Sequence, residues 1–161
     1  MVKRNDFERA LTVGRPPTVA RLFPHSRALI VSGKVIDRAM LKKGRAMTIA
    51  ANARSSVVIR GVLQAAQRAN AAVIIEIAKS ESGYCLINMW NLARYVDTLC
   101  NEFGITVPVA VHADHFGLKK PQEVAKAHTD IPSMFDAGIT SIAIDASHMT
   151  DDQNLLANIE L

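Results

Sequence analysis

Two short stretches of the chain bring histidines and aspartates close together. His112, Asp114 and His115 stand within four positions in VPVAVHADHFG, and Asp145 and His148 stand within four positions in IDASH. An imidazole is a common ligand of Zn²⁺ and other divalent transition metals. A neighbouring carboxylate can transfer protons or orient a metal-bound histidine. The two stretches together indicate a metal-dependent active site, although a single strand-end histidine often only hydrogen-bonds a backbone carbonyl.

The apolar segments that precede these side chains predict strands that alternate with helices. Predicted strands cover residues 46–52, 71–78, 105–112 and 139–146, and predicted helices cover residues 57–70, 86–104, 121–137 and 150–161. Pro132 should break or kink the third of these helices.

This alternation predicts an α/β fold. Continuous β-branched strands are buried on both faces, which favours a parallel sheet with helices packed outside it. Either a doubly wound sheet or a (β/α)8 TIM barrel fits, and both bind ligands beyond the carboxyl ends of their strands. No GxGxxG follows the first strand and no GxxxxGK[ST] occurs, so a nucleotide-binding doubly wound fold is disfavoured.

Polar residues follow every predicted strand. Asn52 ends the first strand and Ser80 follows the second. After the third strand, His112 and Asp114 should point the same way because strand side chains alternate. His115, where strand gives way to loop, can turn toward the centre. This placement is the strongest indication of a site from residue pattern alone.

Lys79 also follows the second strand. A lysine at such a position could form an imine with a ketone. The interpretation we favour is that it pairs with Glu76 or Glu81, or contacts a phosphate.

The N-terminal part of the chain is basic. Residues 1–45 hold 11 of the 19 Lys and Arg residues and 3 of the 15 acids. We interpret them as an extension with short helices over 3–11 and 34–43 around an irregular segment, which is either solvated or a subunit contact. A nucleic-acid partner is not favoured, because no aromatic interleaving accompanies the charge.

Other bulk features suggest a cytoplasmic protein. No apolar run approaches the roughly 18 residues needed to span a membrane, and no secretory signal is evident. Cys85 and Cys100 follow no disulfide pattern and suit a reducing compartment.

The motifs resemble those of the class II, metal-dependent fructose-bisphosphate aldolases. VPVAVHADHFG and DAGITSIAIDASHMTDDQN are similar to that family's patterns near VPVxxHxDHG and aGfxSVMIDgSHxxxxEN. MTIAANARSSVVIRGVLQAAQRANAAVIIEIAKS is similar to its opening βαβ unit. The resemblance spans about residues 28–160.

The resemblance implies a (β/α)8 barrel that reversibly cleaves fructose 1,6-bisphosphate to dihydroxyacetone phosphate and glyceraldehyde 3-phosphate, a lyase reaction of glycolysis and gluconeogenesis. A tagatose-bisphosphate-type aldolase is the nearest alternative. By residue, it implies that His115 binds Zn²⁺ or another divalent transition metal, that Asp145 lies near the metal, and that Asp114 is the catalytic acid/base. Asn52 and Ser80 would contact the sugar phosphate. A monovalent cation and a homo-oligomer are also expected.

Length limits what this chain can do alone. A (β/α)8 barrel takes about 250 residues, and residues 46–161 account for about four β/α units. We therefore expect further metal ligands and phosphate loops beyond Leu161, and an inactive chain in isolation. Two other interpretations stay open: another metal-dependent barrel enzyme that uses His112 and His115 as joint ligands, and a non-catalytic half-barrel that serves in assembly.

Overall fold

Four parallel strands form one sheet in the sequence order β1-β2-β3-β4. The computed structural model describes residues 4–161. The strands are β1 (Ala50–Asn52), β2 (Val73–Ala78), β3 (Val109–Gly117) and β4 (Ser141–Asp145). A doubly wound sheet reverses its strand order at a switch point, and no reversal occurs among these four strands. The α/β class is confirmed, and the sequential order is consistent with part of a TIM-barrel-like unit.

Helices precede the sheet and connect its strands. They are α1 (Arg4–Val13), α2 (Pro17–Leu22), α3 (Gly33–Lys43), α4 (Ser56–Ala69), α5 (Leu92–Glu102), α6 (Gln122–Asp136) and α7 (Asp151–Glu160), with a short 3-10 turn at Glu81–Gly83. Residue 3, where the first predicted helix begins, lies outside the described residues.

The two faces of the sheet have different environments. The outer face carries Ile75, Ile77, Val111 and Ala113, which are buried in the main apolar cluster with residues of α4, α5 and α6. Side chains of opposite parity, such as Ile74 and Ala110, lie on the inner face of the sheet.

The N-terminal segment covers part of the inner face. Phe7, Leu29, Val31 and Ile36 are buried in a second apolar cluster together with Ala110. Backbone hydrogen bonds also join Val31 to Val109 and Val109 to Leu29. This part of the chain therefore packs against the sheet through apolar side chains as well as carrying basic charge.

Several element boundaries differ from those predicted. Strand β3 continues through Gly117 rather than ending at His112, so the HADH residues are part of the strand. Pro132 lies inside the continuous helix α6, where burial of Ala127 and Met134 on either side stabilises it. The segment predicted as irregular contains α2, which begins at Pro17, a residue favoured in the first turn of a helix.

No helix in the described range, residues 4–161, combines the length and apolarity that crossing a membrane requires.

Replacing Gly138 should test the packing between α6 and α5. Gly138 has φ +105°, and a Cβ there would lie 2.6 Å from the Cβ of Ala93. We expect Gly138→Ala to lower the free energy of unfolding by about 1–3 kcal/mol. Gly61→Ala is the control, because Gly61 lies within α4 with open space around it, and alanine there should stabilise by about 0.5–1 kcal/mol. Urea denaturation measures both, and equal midpoints would contradict the close approach of Gly138 to Ala93.

Candidate active site

One row of polar side chains crosses the inner face of the sheet. The backbone register pairs Asn52 with Glu76, Glu76 with His112, and His112 with Ser141. Cα partners in a parallel sheet point to the same face, so these side chains are neighbours. Asp114 follows two residues after His112 on the same face.

A bulge in β3 follows this row. Ala113 pairs with Ile142 and Phe116 pairs with Ile144, so that Asp114 and His115 lie opposite the single residue Ala143. Ala113 and Phe116 are both buried in the outer cluster, which strict alternation would not allow for positions three apart. The extra residue of the β-bulge shifts the alternation by one position, so that Phe116 faces the outer cluster as Ala113 does.

The strain of the bulge falls on His115, whose φ is +40°. A non-glycine residue held in that region costs on the order of 1–3 kcal/mol, although histidine is enriched there relative to most residues. Strict alternation would direct the side chains of Asp114 and His115 to opposite faces, whereas in the bulge His115 Nε2 lies 3.6 Å from Asp114 Oδ2.

The His115 ring lies between two carboxylates. Its Nδ1 is 3.0 Å from Asp145 Oδ2 and its Nε2 is 3.6 Å from Asp114 Oδ2. The hydrogen bond with Asp145, aided by the charge of Asp114, raises the pKa of His115. With Asp145 ionised, Nδ1 donates to it in the neutral ring, which leaves the Nε2 lone pair available to a cation.

Asp145 is itself fixed by Ser147. The hydroxyl of Ser147 donates to Asp145 Oδ1 at 2.6 Å and the amide of Ser147 donates to the same atom at 3.0 Å. These bonds, together with the one from His115, lower the pKa of Asp145 to about 2. Asp145 is therefore a carboxylate at any pH near neutrality.

A group of metal-ligand types lies beside His115. One ligand atom each from Glu76, His112 and Asp114 all lie within 4.8 Å of one another. Burial lowers the pKa of His112 and keeps its ring neutral, while Ser141 Oγ lies 2.8 Å from its Nδ1. Burial, and then the charge of Asp114, raises the pKa of Glu76. Mixed nitrogen and carboxylate donors of this kind fit Zn²⁺ and similar cations.

Asn52 is held by a buried carboxylate. Glu81, only 6% exposed, accepts hydrogen bonds from Asn52 Nδ2 at 2.6 Å, from the amide of Ala78 at 3.1 Å, and from Arg54. Although burial opposes ionisation, these bonds lower the pKa of Glu81. The Asn52 side chain is thereby oriented at the end of β1.

The expected pairing of Lys79 with Glu76 or Glu81 is wrong. Lys79 Nζ donates to Gly117 O at 2.7 Å and lies 4.2 Å from the centre of the Phe116 ring, whereas Glu81 pairs with Arg54. Burial lowers the pKa of Lys79.

A cleft of about 630 Å³ opens beside the bulge. Its lining includes Lys79, Ser80, His115, Asp145 and His148. Four of the five residues of the sequence-derived site therefore lie together at one end of the sheet: His115, Asp145 and Ser80 in the cleft, and Asp114 beside His115. Asn52 lies one strand away, next to Glu76.

Sequence reasoning did not assign Glu76, Ser141 or Ser147 to the site. Glu76 carried a signal, because a single carboxylate interrupts the apolar strand VIIEIA. Its proximity to His112 depends on the register between β2 and β3, which the sequence alone does not give.

Comparisons with known proteins agree with these motifs. A sequence model of the family described as "Fructose-bisphosphate aldolase class-II" matches residues 34–160. "Fructose-bisphosphate aldolase" of Staphylococcus aureus (strain Mu50 / ATCC 700699) is 30% identical over 96 residues, which cover 60% of this chain and 30% of that protein. "Probable fructose-bisphosphate aldolase" of Bacillus subtilis (strain 168) is 32% identical over a match of the same extent. The matched region spans 30% of the length of these curated relatives.

The contact between His115 and Asp145 predicts the titration of the histidine. In the presence of a chelator, NMR should place the pKa of His115 above its ordinary value, because the protonated ring is favoured. The stability this provides is present below about pH 6.5 and is lost as the pH rises through the folded-state pKa. Asp145→Asn should return the pKa of His115 toward its ordinary value.

Ser147→Ala is the matched control for this titration. It removes a hydroxyl from Asp145 but leaves that carboxylate ionised near neutrality, so the pKa of His115 should stay raised. An unchanged His115 titration in Asp145→Asn would show that the contact is absent in solution.

Proposed function

The chain belongs to the class II fructose-bisphosphate aldolase family, and on this premise we propose that it supplies the metal-binding and proton-transferring part of an aldolase site. The proposed reaction is the reversible cleavage of fructose 1,6-bisphosphate to dihydroxyacetone phosphate and glyceraldehyde 3-phosphate. It is proposed for the complete barrel, since the matched region covers 30% of the curated relatives. The observation that carries the proposal is the bulge in β3, where the side chains of Asp114 and His115 lie close together.

His115 is the proposed metal ligand of this part of the barrel, through Nε2. The carboxylate of Asp145 orients the ring from the other nitrogen, an arrangement common around metal-bound histidines. A divalent cation such as Zn²⁺, when bound, would supply Lewis acidity that polarises the ketone of the sugar.

Asp114 is the proposed acid/base. Its Oδ2 lies 3.6 Å from His115 Nε2, so a substrate held near the metal would place its reacting hydroxyl within reach. Asp114 would take the proton of the C4 hydroxyl as the carbon–carbon bond breaks and return it in the reverse reaction. It lies beside Glu76 in a half-buried cluster.

Substrate contacts are proposed for Asn52 and Ser80. Asn52 is fixed by Glu81, which leaves little conformational entropy to lose on binding. Ser80 lies in the cleft that also contains His115 and Asp145. We also propose a homo-oligomeric, cytoplasmic enzyme, as the family resemblance implies.

The proximity of Glu76, His112 and Asp114 favours a second candidate function. In another metal-dependent barrel enzyme, such as a hydrolase, His112 would bind the cation together with His115. Asp114 and Glu76 would then act as further ligands within the same cluster.

Metal affinity distinguishes the two candidates. Under the aldolase proposal, His115→Gln should weaken Zn²⁺ binding by about 100-fold or more, because a direct metal ligand is lost. Loss of a residue that only hydrogen-bonds a ligand typically weakens metal affinity by about 10–100-fold. His112→Gln should have a smaller effect. His128→Gln is the control, because His128 pairs with Glu160 on the surface. Titration calorimetry with a competing chelator measures the affinities, and a larger loss in His112→Gln would favour the second candidate.

Substituting Asp114 tests the proton transfer. Asp114→Asn keeps the shape of the side chain but removes the base, so kcat for fructose 1,6-bisphosphate cleavage should fall by about 10²–10⁴-fold. Zn²⁺ affinity should change little. The assay requires the complete barrel, with coupled detection of the triose products. Retained turnover with normal metal content would exclude the assigned role of Asp114.

A further inference from the structure

We infer that Lys79 is a positioning residue that holds the β3 bulge closed, so that Asp114 and His115 face one cation. The inference rests on the proposed metal-binding role of His115. It assigns to Lys79 neither covalent chemistry nor contact with the substrate.

Lys79 is attached to β3 on both sides of the bulge. Its backbone amide donates to Asp114 O at 3.2 Å, just before His115. Its side-chain Nζ donates to Gly117 O at 2.7 Å, just after Phe116. A single residue at the end of β2 therefore spans the segment in which the register shifts.

The Phe116 ring gives Lys79 a third contact. Nζ lies 4.2 Å from the ring centre, within the distance of a cation–π interaction. Phe116 is buried in the outer cluster, so the ring is a fixed surface. The ammonium group thus contacts two adjacent residues directly after the bulge, Phe116 and Gly117, and limits their movement away from β2.

The bulge needs such support because of its backbone. His115 has φ +40°, and conformations of this kind persist only where the surrounding structure over-determines them. On the other side, β4 contributes the bond from the amide of Leu118 to Asp145 O at 2.8 Å. Lys79 provides the matching restraint from the β2 side.

Two other roles for Lys79 are weaker. An imine requires a neutral Nζ free to attack the ketone, and a contact with a phosphate requires one of the three N–H donors to be directed at it. Nζ is instead bonded to Gly117 O and lies over Phe116. Both roles are outcomes that the test below can detect.

The test compares three variants of the complete barrel. Lys79→Met removes the donor and keeps an unbranched side chain, and Lys79→Arg restores a donor that can also stack on Phe116. Lys126→Met is the matched control, because Lys126 lines the same cleft but pairs with Asp130. Lys79→Gln replaces Lys79→Met if the latter does not fold.

The first measurement needs no metal. Hydrogen exchange in the presence of a chelator should be about tenfold or more faster at the amide of Leu118 in Lys79→Met, because the bulge opens locally. The amide of Val73, bonded to Pro108 O at the other end of the sheet, should exchange as before. Lys79→Arg and Lys126→Met should exchange like the parent chain.

The second measurement is the binding and visible absorption spectrum of Co²⁺, used as a probe for the divalent site. Lys79→Met should weaken Co²⁺ binding by about 10–100-fold and alter the spectrum, and Lys79→Arg should restore both. Unchanged exchange in Lys79→Met, or faster exchange with unchanged Co²⁺ binding, would overturn the inference. Borohydride trapping of dihydroxyacetone phosphate on Lys79 would overturn it in favour of an imine.

Failure of the proposed function gives a different result. In that case His115→Gln would bind Co²⁺ as the parent chain does, whatever happens at position 79. If His115→Gln loses Co²⁺ and Lys79→Met does not, only the inference about Lys79 fails.

Discussion

Between the pairs Ala113–Ile142 and Phe116–Ile144, strand β3 has one residue more than β4. This extra residue determines the geometry of the site. Without it, alternation would direct Phe116 to the inner face, away from the outer cluster in which it is buried. Burial of such a side chain is worth about 1.5–3 kcal/mol, similar to the roughly 1–3 kcal/mol cost of the strained φ at His115. Burial of Phe116 therefore offsets the strain at His115. As a consequence, the side chains of the consecutive residues Asp114 and His115 lie close together instead of on opposite faces.

Electrostatics at this end of the sheet favours a bound cation. Glu76 and Asp114 approach each other on the half-buried inner face, and burial together with the charge of Asp114 raises the pKa of Glu76. Asp145 stays ionised because Ser147 donates to it twice. A positive charge between Glu76 and Asp114 would relieve their repulsion. Two nitrogen donors lie beside it: His112, in the same cluster, and His115, whose ring lies between Asp114 and Asp145.

The sequence predicted what depends on periodicity and left out what depends on register. The alternation of four strands with helices, and the placement of Asn52, Asp145 and the HADH residues near strand ends, follow from apolar segments and the polar residues after them. The order of the strands in the sheet did not, since a doubly wound sheet and a barrel both fitted the pattern. The bulge was not predicted, because the consecutive polar residues Asp114 and His115 fit a strand that gives way to a loop as well as they fit a strand with one extra residue. Glu76 looks like an isolated charge until β2 is paired with β3. Lys79 had several carboxylates nearby in sequence, and its partner proved to be a carbonyl on another strand.

The N-terminal segment packs next to the polar row on the inner face of the sheet. The inner face beside Ala110 is covered by Phe7, Leu29 and Val31. Ala110 precedes His112 by two residues on the same face, so the polar row lies next to an apolar, buried part of that face. Gly33 lies against Ser141, where a Cβ would come within 2.7 Å, and Ser141 in turn contacts His112. Exclusion of water from one side of the row strengthens the interactions of its charged groups. The basic segment thus has a structural role at the site that its charge alone did not indicate.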